Sequence, residues 1–321
     1  MPTIAPVVPA HQAQETLRAC LDGLVSAGFS PGEITVVDDG SRDGTAQIAQ
    51  DFGARLVRNE TPLRPAKARN RGVEAVTAEV ILFVDADVVL TTPARRQLEA
   101  HFADPDLDAV IGCYDDRADG GSVVSDYRNL LHHHVHRRAG GPSATFWTGI
   151  GAVRRAAFLE TGGLLSAWEN IEDVEFGLRL TERGGRILLD PELQGTHLKV
   201  WTPRSMFRTD RDGRALPWTR LLLARRADTG RLNTTPAHRL AAAGVGLALV
   251  ALPLALVWAP AIVLALAGAA TFLIASLPVL TDLARLRGTG FALRAIPWHA
   301  LHYVAALAGY AKARWRHATG P

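Results

Sequence analysis

The sequence predicts a parallel, doubly wound α/β domain followed by a pair of apolar helices. Three observations predict it. Short β-branched runs alternate with helical periodicities through the first hundred residues. Carboxylate pairs stand at the carboxyl ends of two of those runs, where open α/β sheets bind ligands. Between Arg239 and Asp282, 42 residues pass without a formal charge. A chain of 321 residues holds one large domain or two modest ones.

The elements follow in order. Ile4 to Val8 reads as a strand, and Gln14 to Ala27 as a helix with Leu17, Leu21, Leu24 and Val25 on one face. Ile34 to Asp38 is a strand ended by Asp-Gly-Ser turn chemistry. Asp43 to Phe52 is a helix, Arg55 to Arg58 a strand, and Pro65 to Val76 a helix with proline in its first turn. Val80 to Val84 is a continuous apolar run, as expected of a strand covered on both faces. This order is that of a parallel sheet with helices on its faces. Beyond it, Pro93 to Phe102 and Val123 to Arg138 read as helices and Ala109 to Tyr114 as a strand. Gly149 to Val153 reads as a small-residue strand or turn, Asp173 to Arg183 as a helix, and Arg186 to Leu189 as a strand.

Composition bounds the function. Hydrophobic residues make up 48% of the chain and net charge is +3, too mild for a nucleic-acid footprint. Two cysteines, Cys20 and Cys113, exclude a disulfide scaffold. The first nine residues lack a basic region and a long apolar core, so no signal peptide is expected and the soluble part is placed in the cytoplasm. At about 1.5 Å per residue the uncharged stretch suffices for roughly two bilayer crossings, expected near 239–259 and 261–281 with Pro260 at the turn. Arg220, Arg225, Arg226, Arg231 and Arg239 precede it; Arg285, Arg287 and Arg294 come after it. Two spans put both flanks on the cytoplasmic side, in line with the positive-inside rule. A third apolar segment near 293–313 contains Pro297, His299, His302 and Tyr303 and reads as an interfacial or re-entrant helix. The expected organisation is a soluble region over 1–225, divided near residue 90, then a membrane region over 226–321. The expected location is the inner, cytoplasmic membrane, crossed more than once.

Several residues can carry chemistry. Asp85-Ala86-Asp87, at a strand end, offers hard oxygen ligands that suit Mg²⁺ or Mn²⁺, ions that also hold phosphate oxygens. Asp38-Asp39 can accept hydrogen bonds from a base or a ribose, or can simply cap a turn. Lys67, Arg69 and Arg71 lie on one helix and either approach a diphosphate or form a solvated basic face. Glu172-Asp173 opens a helix, where a carboxylate serves as a cap or as a general base. His197, after a strand, is structural or a nitrogen ligand beside Asp87. His132, His133, His134 and His136 do not match a zinc spacing and read as a polar helix face.

In this order the segments resemble the family 2 glycosyltransferases over about residues 3–220. The matching pieces are Val7-Val-Pro-Ala-His-Gln12, Ile34-Thr-Val-Val-Asp-Asp-Gly-Ser-Arg-Asp-Gly-Thr45 and Ala68-Arg-Asn-Arg-Gly72. They continue with Val84-Asp-Ala-Asp-Val88, Phe146-Trp-Thr-Gly-Ile-Gly-Ala-Val-Arg-Arg155, Glu172-Asp173 with Glu175 and Arg179, and His197-Leu-Lys-Val-Trp-Thr202. The resemblance implies a GT-A fold with a mixed sheet and inverting transfer of a sugar from a nucleotide-sugar donor, UDP-linked before GDP-linked. It implies that 1–225 is the catalytic domain, with a nucleotide-binding half to about 90 and an acceptor half from about 91, and that Pro9, His11, Asp38, Asp39, Lys67, Arg69, Asp85 and Ala86 surround the nucleotide. Asp85, Asp87 and His197 would hold the divalent cation, and Trp147, Thr148 and Gly149 would line the donor sugar or acceptor. Asp173, beside Glu172, would be the catalytic base.

His11-Gln12 stands where the family has Tyr-Asn. No Gln-x-x-Arg-Trp motif of the processive members occurs, which argues against a polymerase. With apolar helices after the catalytic part, the expected acceptor is lipid-linked. The alternative is a polyprenyl-phosphate glycosyltransferase, whose anionic acceptor needs no strong base. A non-catalytic membrane scaffold or sugar-nucleotide sensor is the reading from another class.

Overall fold

The β-branched runs of the amino-terminal region pair side by side in one mixed sheet. The computed structural model describes residues 1–117, 119–225 and 235–319; Arg226 and Arg231 of the basic flank lie outside them. The chain divides into two units, Met1–Ala118 with His136–Lys199, and Asp119–Val135 with Val200–Pro321.

In the first unit, β1 (Ile4–Ala10) pairs in parallel with β2 (Thr35–Asp38) and with β4 (Val80–Val84), and β2 pairs in parallel with β3 (Arg55–Arg58). The helices α1 (Leu17–Ser26), α2 (Thr45–Phe52) and α3 (Pro65–Glu74) connect them. This is the doubly wound half that the sequence predicts. The alternation along β1 and β2 sends Val8 and Val36 into one core layer and Val7 and Val37 into the other. Beyond β4 the sheet turns mixed. β8 (Ile150–Arg154) runs antiparallel to both β4 and β6 (Ala109–Tyr114), and β6 is parallel to β9 (Ile187–His197).

Two short strands have no clear sequence signal. β5 (Val88–Leu90) and β7 (Gly141–Ser143) each pair antiparallel with β9. β9 itself extends eight residues past Leu189, where the sequence suggests an end. The register with β6 jumps from Ile111–Leu189 to Cys113–Gln194, so Pro191 falls in the irregularity, where no ladder N–H is required of it. The helices α4 (Ala94–His101), α6 (Arg155–Glu160) and α7 (Glu172–Glu182) complete the unit.

The second unit is helical. It contains most of α5 (Val123–Arg138), then α8 (Pro203–Arg208), a wide-pitched turn at Thr209–Ala215, α9 (Leu216–Arg225), α10 (Pro236–Leu254), α11 (Ala261–Arg287) and α12 (Thr289–Thr319). α10 and α11 are the two helices, among the described residues, long and apolar enough to cross a membrane. Their bounds differ from those expected. The Thr235 side chain accepts the His238 N–H and starts α10 a turn early, while Gly288, at φ 84°, stops α11 only after Arg287. They cross closely, because a Cβ on Gly244 would lie 2.6 Å from the Gly268 carbonyl oxygen. The segment expected near 293–313 is part of the 31-residue helix α12, continuous through Pro297.

The polar helix face of the histidine tract is turned inward. His132, His133 and His134 are buried; His134 Nδ1 lies 2.6 Å from Asp282, and His132 Nε2 lies 2.6 Å from Arg214. Arg128 and His302 both reach the buried Asp210, at 2.6 and 2.9 Å. Low helical periodicity in α5 conceals this burial, since apolar and polar residues both face inward.

Candidate active site

Burial of all five residues of β4 delivers Asp85-Ala86-Asp87 to the carboxyl edge of the sheet. A tight turn comes next, with Val88 N–H donating to Asp85 O at 2.9 Å. That turn starts β5, whose Val88 is in register with His197 of β9, and Leu198 N–H donates to Asp87 O at 2.8 Å. The local pairing therefore brings two residues 110 positions apart together: Asp87 Oδ2 and His197 Nε2 are 3.5 Å apart. Burial pushes the Asp87 carboxyl pKa up, but the hydrogen bond and charge of the His197 ring outweigh it and hold the group below its ordinary value.

Asp85 is engaged differently. Its Oδ1 accepts from Arg69 Nη2 at 2.6 Å, and Arg69 Nη1 donates to Glu172 Oε1 at 3.0 Å. Arg69 is buried between the two carboxylates, whereas Lys67 and Arg71 lie exposed on the other side of α3. The solvated basic face open to Arg69 in the sequence is thus replaced by a buried clamp tying α3 to β4 and α7. Removing it would leave Glu172 buried and uncompensated. We expect Arg69→Met to cost about 3–5 kcal/mol, read as a fall in the thermal unfolding midpoint. Arg69→Lys should recover only part, since an ammonium lacks the planar fork that reaches both partners.

Asp173 sits in the first turn of α7. Its Oδ2 accepts the Thr148 backbone N–H at 3.1 Å and the Thr148 hydroxyl at 3.2 Å, and its Oδ1 accepts the Val174 N–H at 2.8 Å. The approach depends on Gly177, one turn further on, where a Cβ would lie 2.1 Å from Phe146 N. Gly177→Leu should push α7 away from the 145–148 segment, lower the unfolding temperature and separate Asp173 from Thr148, which loss of activity at saturating substrate would report. Gly149 serves the neighbouring ring similarly: a Cβ there would meet Trp147 Cζ2 at 2.5 Å. Asp85 N–H donates to Gly149 O at 3.3 Å, joining this segment to the aspartate turn. Burial raises the pKa of both Asp173 and Glu172, and the adjacent Asp173 raises that of Glu172 further; Arg69 offsets only part in each case.

At the other end of the sheet edge, Asp38 and Asp39 are buried. Asp38 accepts the Ser41 N–H at 2.9 Å and pairs with Arg58 at 3.1 Å. Asp39 accepts from Asn59 Nδ2, Leu63 N and Arg64 N, at 2.7 to 2.9 Å. Both carboxylates tie down the surrounding loops. Asn59, just past the short strand β3, carries no motif and is not legible in the sequence as part of this site. Pro9 is half-buried, and His11 is exposed with its Nδ1 2.8 Å from Asp39 O.

Among the described residues no group of three or more His, Cys, Asp or Glu side chains is placed to hold a metal ion. Asp87 and His197 form a pair of one carboxylate oxygen and one imidazole nitrogen. Such a pair suits Mn²⁺ or Mg²⁺ when phosphate oxygens and water fill the remaining positions, as is usual for ions that travel with nucleotides. Ala86 is buried between the two aspartates.

Residues 7–162 match the model of glycosyl transferase family 2. The uncharacterized protein MT1568 of Mycobacterium tuberculosis is 28% identical over 216 residues, 60% of this chain and 66% of its own length. The O-antigen chain rhamnosyltransferase RfbN of Salmonella typhimurium is 24% identical over 213 residues, 63% of this chain and 68% of its own. The chain spans about a third to two thirds of the length of the curated relatives it matches. In fold it is similar to the mannosyltransferase PcManGT of Pyrobaculum calidifontis, solved with GDP-Man and Mn²⁺, with a TM-score of 0.62 and 19% identity over 98% of this chain and 87% of that one. Over residues 7–162 the chain matches glycosyl transferase family 2, and its fold is of the GT-A type.

Proposed function

We propose that the protein transfers a sugar, with inversion, from a nucleotide-sugar donor to a lipid-linked acceptor at the cytoplasmic face of a membrane. The observation that carries this reading is the convergence of the Asp87–His197 pair and the Asp173–Thr148 carboxylate site on one edge of the sheet. Asp87 and His197 would hold a divalent cation, Mn²⁺ or Mg²⁺, which when bound neutralises charge on the leaving diphosphate. Asp85 is kept in place by Arg69 and faces the ribose or the cation. Asp39, Asp38, Pro9 and His11 border the nucleoside, and the exposed Lys67 faces the diphosphate. Trp147, Thr148 and Gly149 line the sugar and acceptor.

Asp173 takes the acceptor hydroxyl proton as the oxygen forms its bond to the anomeric carbon. The bond from that carbon to the diphosphate oxygen breaks, and its electron pair leaves with the diphosphate. Glu172, bound by Arg69, holds the first turn of α7 in position.

The similarity to a structure holding GDP-Man and Mn²⁺ supports a nucleotide donor with a cation. UDP- and GDP-sugars are both to be tried, UDP first. A relative named as an O-antigen chain rhamnosyltransferase supports a glycan or lipid acceptor. The α10–α11 hairpin supports a membrane site. Its turn, Ala255–Pro260, is apolar, and the N–H groups of Ala255, Leu256, Val257 and Trp258 all donate to carbonyls within the hairpin, as hydrocarbon demands. Sugar transfer to lipid extract in liposomes tests the reading. Full activity on soluble acceptors after deletion of 239–321 would count against a membrane acceptor.

A further inference from the structure

We propose that Tyr114 is a positioning residue that fixes the His197 imidazole toward Asp87 and thereby sets the affinity of the site for a divalent cation. The inference rests on the cation reading given under the proposed function. Tyr114 ends β6, and its ring lies flat on that of His197, with centroids 4.3 Å apart and planes 7° from parallel. Both residues are buried. Tyr114 also meets Trp147 edge-to-face at 4.7 Å, and Trp147 meets His136 edge-to-face at 4.4 Å. The tyrosine plane is therefore braced.

The strands are fixed beneath it. Tyr114 is in register with Gly195, and the buried Asp115 accepts the Thr196 hydroxyl at 2.6 Å.

The reason lies in the torsions of histidine. Rotation about its last side-chain bond is broad and soft, so a strand-end imidazole left alone samples many ring planes. A flat aromatic face permits only the planes parallel to it. In the orientation held here Nε2 faces Asp87 Oδ2 at 3.5 Å. Partners that orient a ligand typically contribute a factor of about 10–100 to metal affinity. A purely space-filling role would be served equally by an aliphatic side chain, and this distinguishes the two roles.

The test uses the full-length, detergent-solubilised protein with Tyr114→Leu and Tyr114→Phe. Mn²⁺ binding is titrated by electron paramagnetic resonance with UDP or GDP present. In parallel, the His197 ring resonances are monitored in histidine-labelled protein without metal, assigned with His197→Asn. Tyr114→Leu should weaken Mn²⁺ binding roughly 10–100-fold and abolish the upfield ring-current shift of His197. Tyr114→Phe should preserve both. Unchanged Mn²⁺ affinity in a folded Tyr114→Leu protein would overturn the proposal, as would an equal loss in Tyr114→Phe. A wild-type protein that takes up no Mn²⁺ while the ring shift behaves as expected would overturn the cation reading itself, and this proposal with it.

Discussion

Asp87→Ala should lower kcat/KM for sugar transfer by roughly 10³-fold, the factor implied by losing several kcal/mol of charge stabilisation at the leaving group. The fold should survive. The Asp87 side chain is partly exposed, and the neighbouring backbone bond from Leu198 N–H to Asp87 O does not involve it. The measurement is turnover of the preferred nucleotide sugar, with circular dichroism and thermal unfolding as controls. His197→Ala should fall in the same direction. The double variant should lose little more than the worse single one, since the two residues act as a unit. A full sum of the two losses would mean that they serve separate ends.

Asp173→Asn is the second large effect. Asparagine retains an oxygen that can accept both Thr148 bonds, so α7 should stay in place while the base is lost. General-base catalysis is worth about 10²–10⁴-fold, and kcat should drop by that order. Burial raises the Asp173 pKa, and the folded protein therefore holds its proton to a higher pH than an ordinary carboxyl group would. A base works only unprotonated, so activity should fall as pH decreases through this raised value. The acid limb should stand above the usual carboxylate range in wild type and disappear from the residual activity of Asp173→Asn. Retention of near-full activity by that variant would favour the polyprenyl-phosphate acceptor, which is anionic before it reacts.

The strand-end aspartates are legible in the sequence because local residues determine both their type and their place. Val80 to Val84 can be little other than a buried strand, and the residues just beyond such a strand in a doubly wound sheet face the ligand edge. Of the partners of these aspartates only His197, set beside Asp87 by the resemblance, is legible in the sequence. Arg69 reads as one of three basic residues on a helix, and only the packing of α3 on β1 and β2 turns it inward, between Asp85 and Glu172. Asp173 is a cap or a base by spacing alone; the close approach at Gly177 that brings it to Thr148 is a contact across 31 positions with Phe146. His197 lands beside Asp87 because β9 continues past Leu189, where the sequence suggests an end, through the register jump that takes in Pro191. The histidines of α5 read as a polar helix face without named partners for a related reason. Their partners Asp282 and Arg214 come from distant helices, and nothing in the local periodicity announces them.

The central claim, cation-dependent sugar transfer to lipid, is tested most directly by incubating the full-length protein in lipid-extract liposomes with a panel of UDP- and GDP-sugars and Mn²⁺. Nucleoside diphosphate release and labelled sugar in the lipid phase are then measured together. At least one donor should be consumed with matching transfer of sugar to lipid, and the reaction should stop with EDTA and in Asp87→Ala. Consumption of no donor, or turnover unaffected by both EDTA and Asp87→Ala, would contradict it.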